Sequence, residues 1–133
     1  MSIIVKNSQL NNETISALNT LIELDIKASS AFKLARIIKE ISSIVDDKLK
    51  MEKRILDKWV ERDENGQPKQ VLDNSGNTVE GAVNLTDIDS FTQEMQSLMD
   101  VENEVPFDKM DFDELNLETA KVKDLLKLEF LFN

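Results

Sequence analysis

The chain has 133 residues, 41% of them hydrophobic and 5% aromatic, which suffices for one modest and mostly aliphatic core. It has no Cys and no His, so disulfides, thiolate chemistry and the commonest neutral-pH acid–base group and metal ligand are all excluded. Its formal net charge of −10 is unevenly placed: residues 1–84 hold 13 acids and 12 bases, whereas residues 85–133 hold 13 acids against only Lys109, Lys121, Lys123 and Lys127.

In chain order, Ser2–Lys6 (SIIVK) predicts a short strand that pairs elsewhere, with a helix start or a tether as alternatives. Thr14–Leu24 is a helix candidate, with Ile15, Leu18, Leu21, Ile22 and Leu24 apolar and Asn11 or Asn12 able to cap it. The central stretch, Lys27–Val60, repeats apolar residues at Leu34, Ile38, Ile41, Val45, Leu49, Leu56 and Trp59 with no Pro or Gly between them. Spacings of three and four mean helix. At 1.5 Å per residue the run spans roughly 50 Å if unbroken, long enough to act as the spine of the fold. Ser29 or Ser30 is placed to cap it, and the two helices form either an antiparallel pair or one kinked rod.

Beyond Asp46 the stripe thins, and the opposite charges Asp46/Lys50, Lys48/Glu52 and Lys53/Asp57 stand four apart. This end packs within the molecule or self-associates as an imperfect coiled coil through Ile55, Leu56 and Trp59. Asp63-Glu64-Asn65-Gly66 then reads as the helix end, with Gly66 beyond the C-cap and Pro68 preventing resumption.

Residues 69–83 predict a β-hairpin insertion turning at Asn74-Ser75-Gly76. Thr86, with Asp89 three residues on, predicts the N-cap of a helix through Ile88, Phe91, Met95, Leu98 and Met99. Residues 100–116 read as an acidic loop organised by Pro106. A last helix through Phe130 is capped by Asn116 or Thr119, and its apolar end is expected to dock on the body. The fold class is therefore mainly α with a small β-hairpin: a single helical domain over residues 1–133, its long central helix packed by shorter N- and C-terminal helices.

The motifs that carry chemistry are incomplete. Asp108, Asp111 and Asp113 lack the central Gly and terminal Glu of a calcium loop. Gly66, Gly76 and Gly81 do not have phosphate-loop spacing. Ser30 and Lys33 match Ser-x-x-Lys, but the Ser-Asp-Asn and Lys-Thr-Gly partners of that motif are missing. Carboxylate-pair catalysis of the glycosidase kind would lack aromatic stacking for a sugar. An enzyme is not expected, nor is a cofactor or metal.

The acidic segment favours a protein contact. Glu102, Glu104, Asp108, Asp111, Asp113 and Glu114, interleaved with Phe107 and Phe112, are the candidate contact residues toward a partner with a basic surface. The same charge repels nucleic acid and anionic membranes. No apolar run approaches the roughly 20 residues needed to cross a bilayer. The opening MSIIVKNSQLNNE lacks the basic start and apolar core of a signal peptide, so the cytoplasm is the expected compartment.

The sequence resembles a family of small helical proteins encoded by phages and prophages of Gram-positive bacteria. The resemblance lies in Ala17-Leu18-Asn19 with Leu21, Ile26-Lys27-Ala28, Ala31-Phe32-Lys33-Leu34-Ala35, Ile38-Lys39, Arg54, Leu56, Trp59, Asp63-Glu64-Asn65-Gly66, Leu117, and Leu125 through Phe130. Where members commonly begin the long helix with Pro-Lys, Asp25-Ile26-Lys27 stands here. The resemblance implies phage origin and helical architecture, and it transfers no catalytic residue. It implies an early protein that binds a host or defence factor in the host cytoplasm, or a virion-assembly accessory forming a homo-oligomer.

Overall fold

The computed structural model describes residues 2–23, 25–79, 82–111 and 122–132. In chain order these form strand β1 (Ser2–Lys6), helix α1 (Asn12–Ile22), helix α2 (Ala28–Trp59), helix α3 (Ile88–Met99), strand β2 (Glu102–Asp108) and helix α4 (Val122–Lys127). Single 3-10 turns occupy Asn7–Gln9 and Glu129–Leu131. The fold is mainly helical, with a long helix, shorter helices and a two-stranded antiparallel sheet. Two compact units share the chain, one of residues 1–48 with 99–133 and one of residues 49–98. The expected spine, α2, begins in the first and ends in the second.

In the first unit, β1 pairs antiparallel with β2, matching Ile3 with Val105, Ile4 with Glu104, Val5 with Asn103 and Lys6 with Glu102. The short strand expected at Ser2–Lys6 is present. Its partner is the segment that reads as a loop in the sequence. Pro106 has no N–H to donate, and the strands accommodate it with an irregularity: the register shifts between Ser2 and Ile3, so that Ser2 lies opposite Asp108. Strand alternation then sorts the side chains. Ile3, Val5 and Val105 are fully buried, while Ile4, Glu102, Glu104, Pro106 and Asp108 are exposed.

The inner face of the sheet shares one core with Ala17, Leu18 and Leu21 of α1, Leu34, Ile37 and Ile41 of α2, Met110, and the terminal Leu128, Phe130, Leu131 and Phe132. Of the two expected caps, Asn11 is the one used, accepting the Thr14 N–H at 3.0 Å, and Asn12 is the first residue of α1. The apolar C-terminal end is docked as expected: the Met110 N–H donates to the Leu131 carbonyl at 2.9 Å, and Met110 bridges to Phe132. A Lys127–Glu13 ion pair of 2.7 Å joins α4 to α1. The expected caps Asn116 and Thr119, with Leu117, lie outside the described residues.

The apolar stripe of α2 is interrupted at Lys48, whose ammonium donates to the Leu10 carbonyl at 3.0 Å, and at Glu52. Both are half-buried on the same helical face as Leu34 and Ile41. The stripe resumes in the second unit, where Ile55 and Val60 are the buried hydrophobics among the described residues.

The helix stops at Trp59, earlier than the sequence suggests, because neighbours from later in the chain take its last groups. The Trp59 carbonyl accepts from the Thr86 N–H at 2.7 Å and the Thr86 hydroxyl at 3.1 Å. Val60 forms an antiparallel bridge with Leu85. Thr86 is thus not the N-cap of α3. Asp87 is, accepting the Ser90 N–H at 3.1 Å and the Ser90 hydroxyl at 2.8 Å.

Gly66 is not a helix C-cap either. Asp63–Gln67 and Asp73–Asn77 form two like turns, bridged at Arg62–Pro68 and Leu72–Thr78. In each, an Asp carboxylate accepts two backbone N–H groups, and a glycine takes positive φ, 77° at Gly66 and 83° at Gly76. The expected hairpin thus appears as isolated bridges around Gly76, preceded by a similar turn.

These burials give a direct contrast. Ile41→Ala, at a fully buried core position, is expected to lower unfolding free energy by about 2–5 kcal/mol. Ile88→Ala, at a position 66% exposed, is expected to change it by less than about 0.5 kcal/mol. Denaturant unfolding followed by circular dichroism measures both.

Candidate protein-contact face

β2 positions the acidic candidates. Because its side chains alternate, Glu102, Glu104 and Asp108 emerge on the outer face of the sheet while Val105 closes the inner one. β1 completes that outer face with Ile4, 47% exposed and opposite Glu104, and with exposed Lys6 opposite Glu102. Asp100 and Val101 lead into the strand and Asp111 follows it, all exposed. Among the described residues, neither Glu102 nor Glu104 is held in an ion pair. The face therefore offers carboxylates beside an aliphatic side chain, a composition suited to a basic surface with some apolar area.

Phe107 differs from its acidic neighbours. It points to the core side of β2, is half-buried and packs against the hydrophobic cluster. The Arg36 guanidinium lies 5.3 Å from its ring centroid and 5.7 Å from that of exposed Phe32, a cation–π arrangement tying β2 to α2. Phe107 thus helps to anchor β2 to the body. Phe112, Asp113 and Glu114 lie outside the described residues.

The self-association candidates are engaged within the second unit. Ile55 is buried, and Leu56 and Trp59 are half-buried. The Trp59 indole Nε1 donates to Glu94 Oε2 at 3.0 Å, Glu94 Oε1 pairs with Lys58, and the Lys58 ammonium lies 4.9 Å from the centroid of the Trp59 ring. The hydrogen bond from Lys58, then that from Trp59, holds the Glu94 carboxyl below its ordinary value. Asp87 is likewise lowered, by the Ser90 backbone and hydroxyl that it caps.

Sequence reading missed Ile4 and Lys6 as members of the candidate face. The signal was there, since alternation within SIIVK sends those two side chains to the side opposite Ile3 and Val5. It also missed Glu94 as the partner of Trp59, which no local pattern encodes. Among the described residues, no cluster of acidic side chains is arranged to hold a metal ion, and no helix is long and apolar enough to cross a membrane. Comparison with protein-family models, curated proteins and solved structures returned no match to this chain.

The Trp59–Glu94 contact has a pH signature. A carboxyl lowered in the folded state contributes stability that is present above its unfolded value and is lost as pH falls through the folded value. Fluorescence of Trp59, the single tryptophan, is expected to change in a step centred below the ordinary glutamate value of 4.5. Glu94→Gln is expected to abolish that step.

Proposed function

We propose that the protein is a non-enzymatic accessory protein that binds another protein through the acidic outer face of β1 and β2. The observation that carries this reading is the strand alternation of Glu102, Glu104 and Asp108. A loop would scatter these carboxylates, whereas the sheet fixes them on one side at a spacing set by the backbone. Their charge steers a basic partner and rejects acidic ones, nucleic acid included. Exposed Ile4 supplies apolar area that excludes water once the partner is seated. The resemblance carried by Ala31-Phe32-Lys33-Leu34-Ala35 and Asp63-Glu64-Asn65-Gly66 supports placing that partner among the host or defence proteins met by a phage. Virion assembly through self-association of α2 has less support, because Ile55, Leu56 and Trp59 already serve their own unit.

The combined variant Glu102→Lys, Glu104→Lys and Asp108→Lys is the test. In affinity capture from phage-infected host cells, the wild-type chain is expected to retain a basic protein that the variant loses. Reversal of Glu102 and Glu104, with Asp108 already engaged within the chain, is expected to weaken binding by about tenfold or more, with the circular dichroism spectrum unchanged. Equal retention by both chains contradicts the proposed face.

A further inference from the structure

The first half of α2 presents a second face, opposite in charge to the sheet. Residues 26–39 contain Lys27, Lys33, Arg36 and Lys39 and no acid, although the chain has 26 acids. Leu34, Ile37 and Ile41 turn toward the core. Phe32, Ala35, Arg36 and Lys39 recur at spacings of three and four on the solvent side, all exposed, Phe32 at 66%. This is the spacing at which a docking helix presents its anchors. The Arg36 guanidinium lies against the Phe32 and Phe107 rings, and a guanidinium held by rings keeps its N–H donors for a carboxylate. Among the described residues, neither Arg36 nor Lys39 is held in an ion pair. Lys33 differs, since it shares an opening with Asp108. Glu40 follows Lys39 as the next acid in the chain.

The outer face of the β1–β2 sheet has the complementary composition. Ile4 lies directly opposite Glu104, and Glu102 is two residues away on β2. Neither carboxylate is held in an ion pair among the described residues. Lys6, opposite Glu102, is the cation on that side. One apolar side chain and two acids there answer one aromatic and two bases on α2. The spacings also agree. Arg36 and Lys39 are neighbours on one helix face, roughly 5–6 Å apart. Glu102 and Glu104, two strand residues apart, are separated by roughly 6–7 Å. Both faces belong to the first unit, yet they cannot meet within one chain. α2 packs on the inner side of the sheet with this ridge turned away from the core, and the carboxylates stand on the outer side.

We infer that the outer sheet face of one copy docks on the α2 face of a second copy, with Glu104 and Glu102 meeting Arg36 and Lys39, and Ile4 meeting Phe32. The contact joins two different surfaces, so it is head-to-tail and grows beyond two copies unless it closes into a ring. Ile55, Leu56 and Trp59 take no part in it. The basic partner proposed above competes for the same carboxylates. The inference does not depend on that partner, and no other protein enters its test.

The test is sedimentation velocity of the purified full chain over a concentration series at low salt. The weight-average mass is expected to rise with concentration and to fall back when salt is raised, because the contact rests on charge. Lys39→Glu and the double variant Glu102→Lys, Glu104→Lys are each expected to weaken self-association about tenfold or more, with circular dichroism spectra unchanged. Mixing the two variants discriminates head-to-tail docking from any other mode, because each keeps the face that the other lacks. A one-to-one complex that grows no further is expected. A wild-type chain that stays monomeric across the series overturns the inference, whatever the variants do. So does a mass that both variants leave unchanged, which assigns the association to another surface, and so does a mixture that forms no one-to-one complex.

Discussion

The pairing of β1 with β2 is the constraint on which the first unit depends. It joins residues 2–6 to residues 102–108, so the ends of a long stretch of sequence must meet before the core can close. Closing such a loop costs entropy that grows slowly with its length, and the sheet alone is too small to repay it. Repayment comes from the face that the pairing creates. Ile3, Val5 and Val105 are fully buried against α1, α2 and the docked C-terminal turn. Buried Asn7 reinforces the junction, its N–H donating to the Val101 carbonyl at 3.0 Å and its side-chain oxygen accepting from Asn103 at 2.8 Å. The same alternation that builds the core leaves the carboxylates of β2 outside, so folding and the arrangement of charge have one cause.

The second unit is held differently. Ile55 and Val60 are its buried hydrophobics among the described residues, and α3 has no buried residue. Polar contacts take a larger share there. Thr86 satisfies the end of α2, Asp87 satisfies the start of α3, and Asp63 and Asp73 each satisfy the amides of their own turn. Glu94 receives both Trp59 and Lys58. Exposed contacts of this kind contribute little individually, so this unit is expected to open locally at lower free energy than the core around Ile41.

The sequence was most readable where periodicity was long. The apolar repeat from Leu34 to Trp59 identified α2, and Asn11 and Asn12 were the two caps offered for α1, of which the fold uses Asn11. It was least readable where a distant partner decides local structure. Glu102–Asp108 carries a period-two pattern, with Asn103, Val105 and Phe107 on one side, yet Pro106 and the charges make it resemble a loop until β1 is seen beside it. The end of α2 was misplaced for the same reason: Val60 fits the helical repeat, and only Leu85 and Thr86 remove it from the helix. Thr86 and Asp87 are both acceptable caps by residue type, and the choice fell to Asp87 because Thr86 is occupied by Trp59. Of the contact candidates, exposure of Glu102, Glu104 and Asp108 followed from charge, whereas the inward placement of Phe107 required the strand.

The ordered acidic face therefore rests on Glu102–Asp108 being a strand whose inner side is fixed by β1. Nuclear Overhauser contacts across the two segments test this most directly. Proximity of Ile3 to Val105, Ile4 to Glu104 and Lys6 to Glu102, with extended chemical shifts throughout β2, is the expected result. Random-coil shifts over Glu102–Asp108 without contacts to Ser2–Lys6 would contradict it and remove the ordered acidic face.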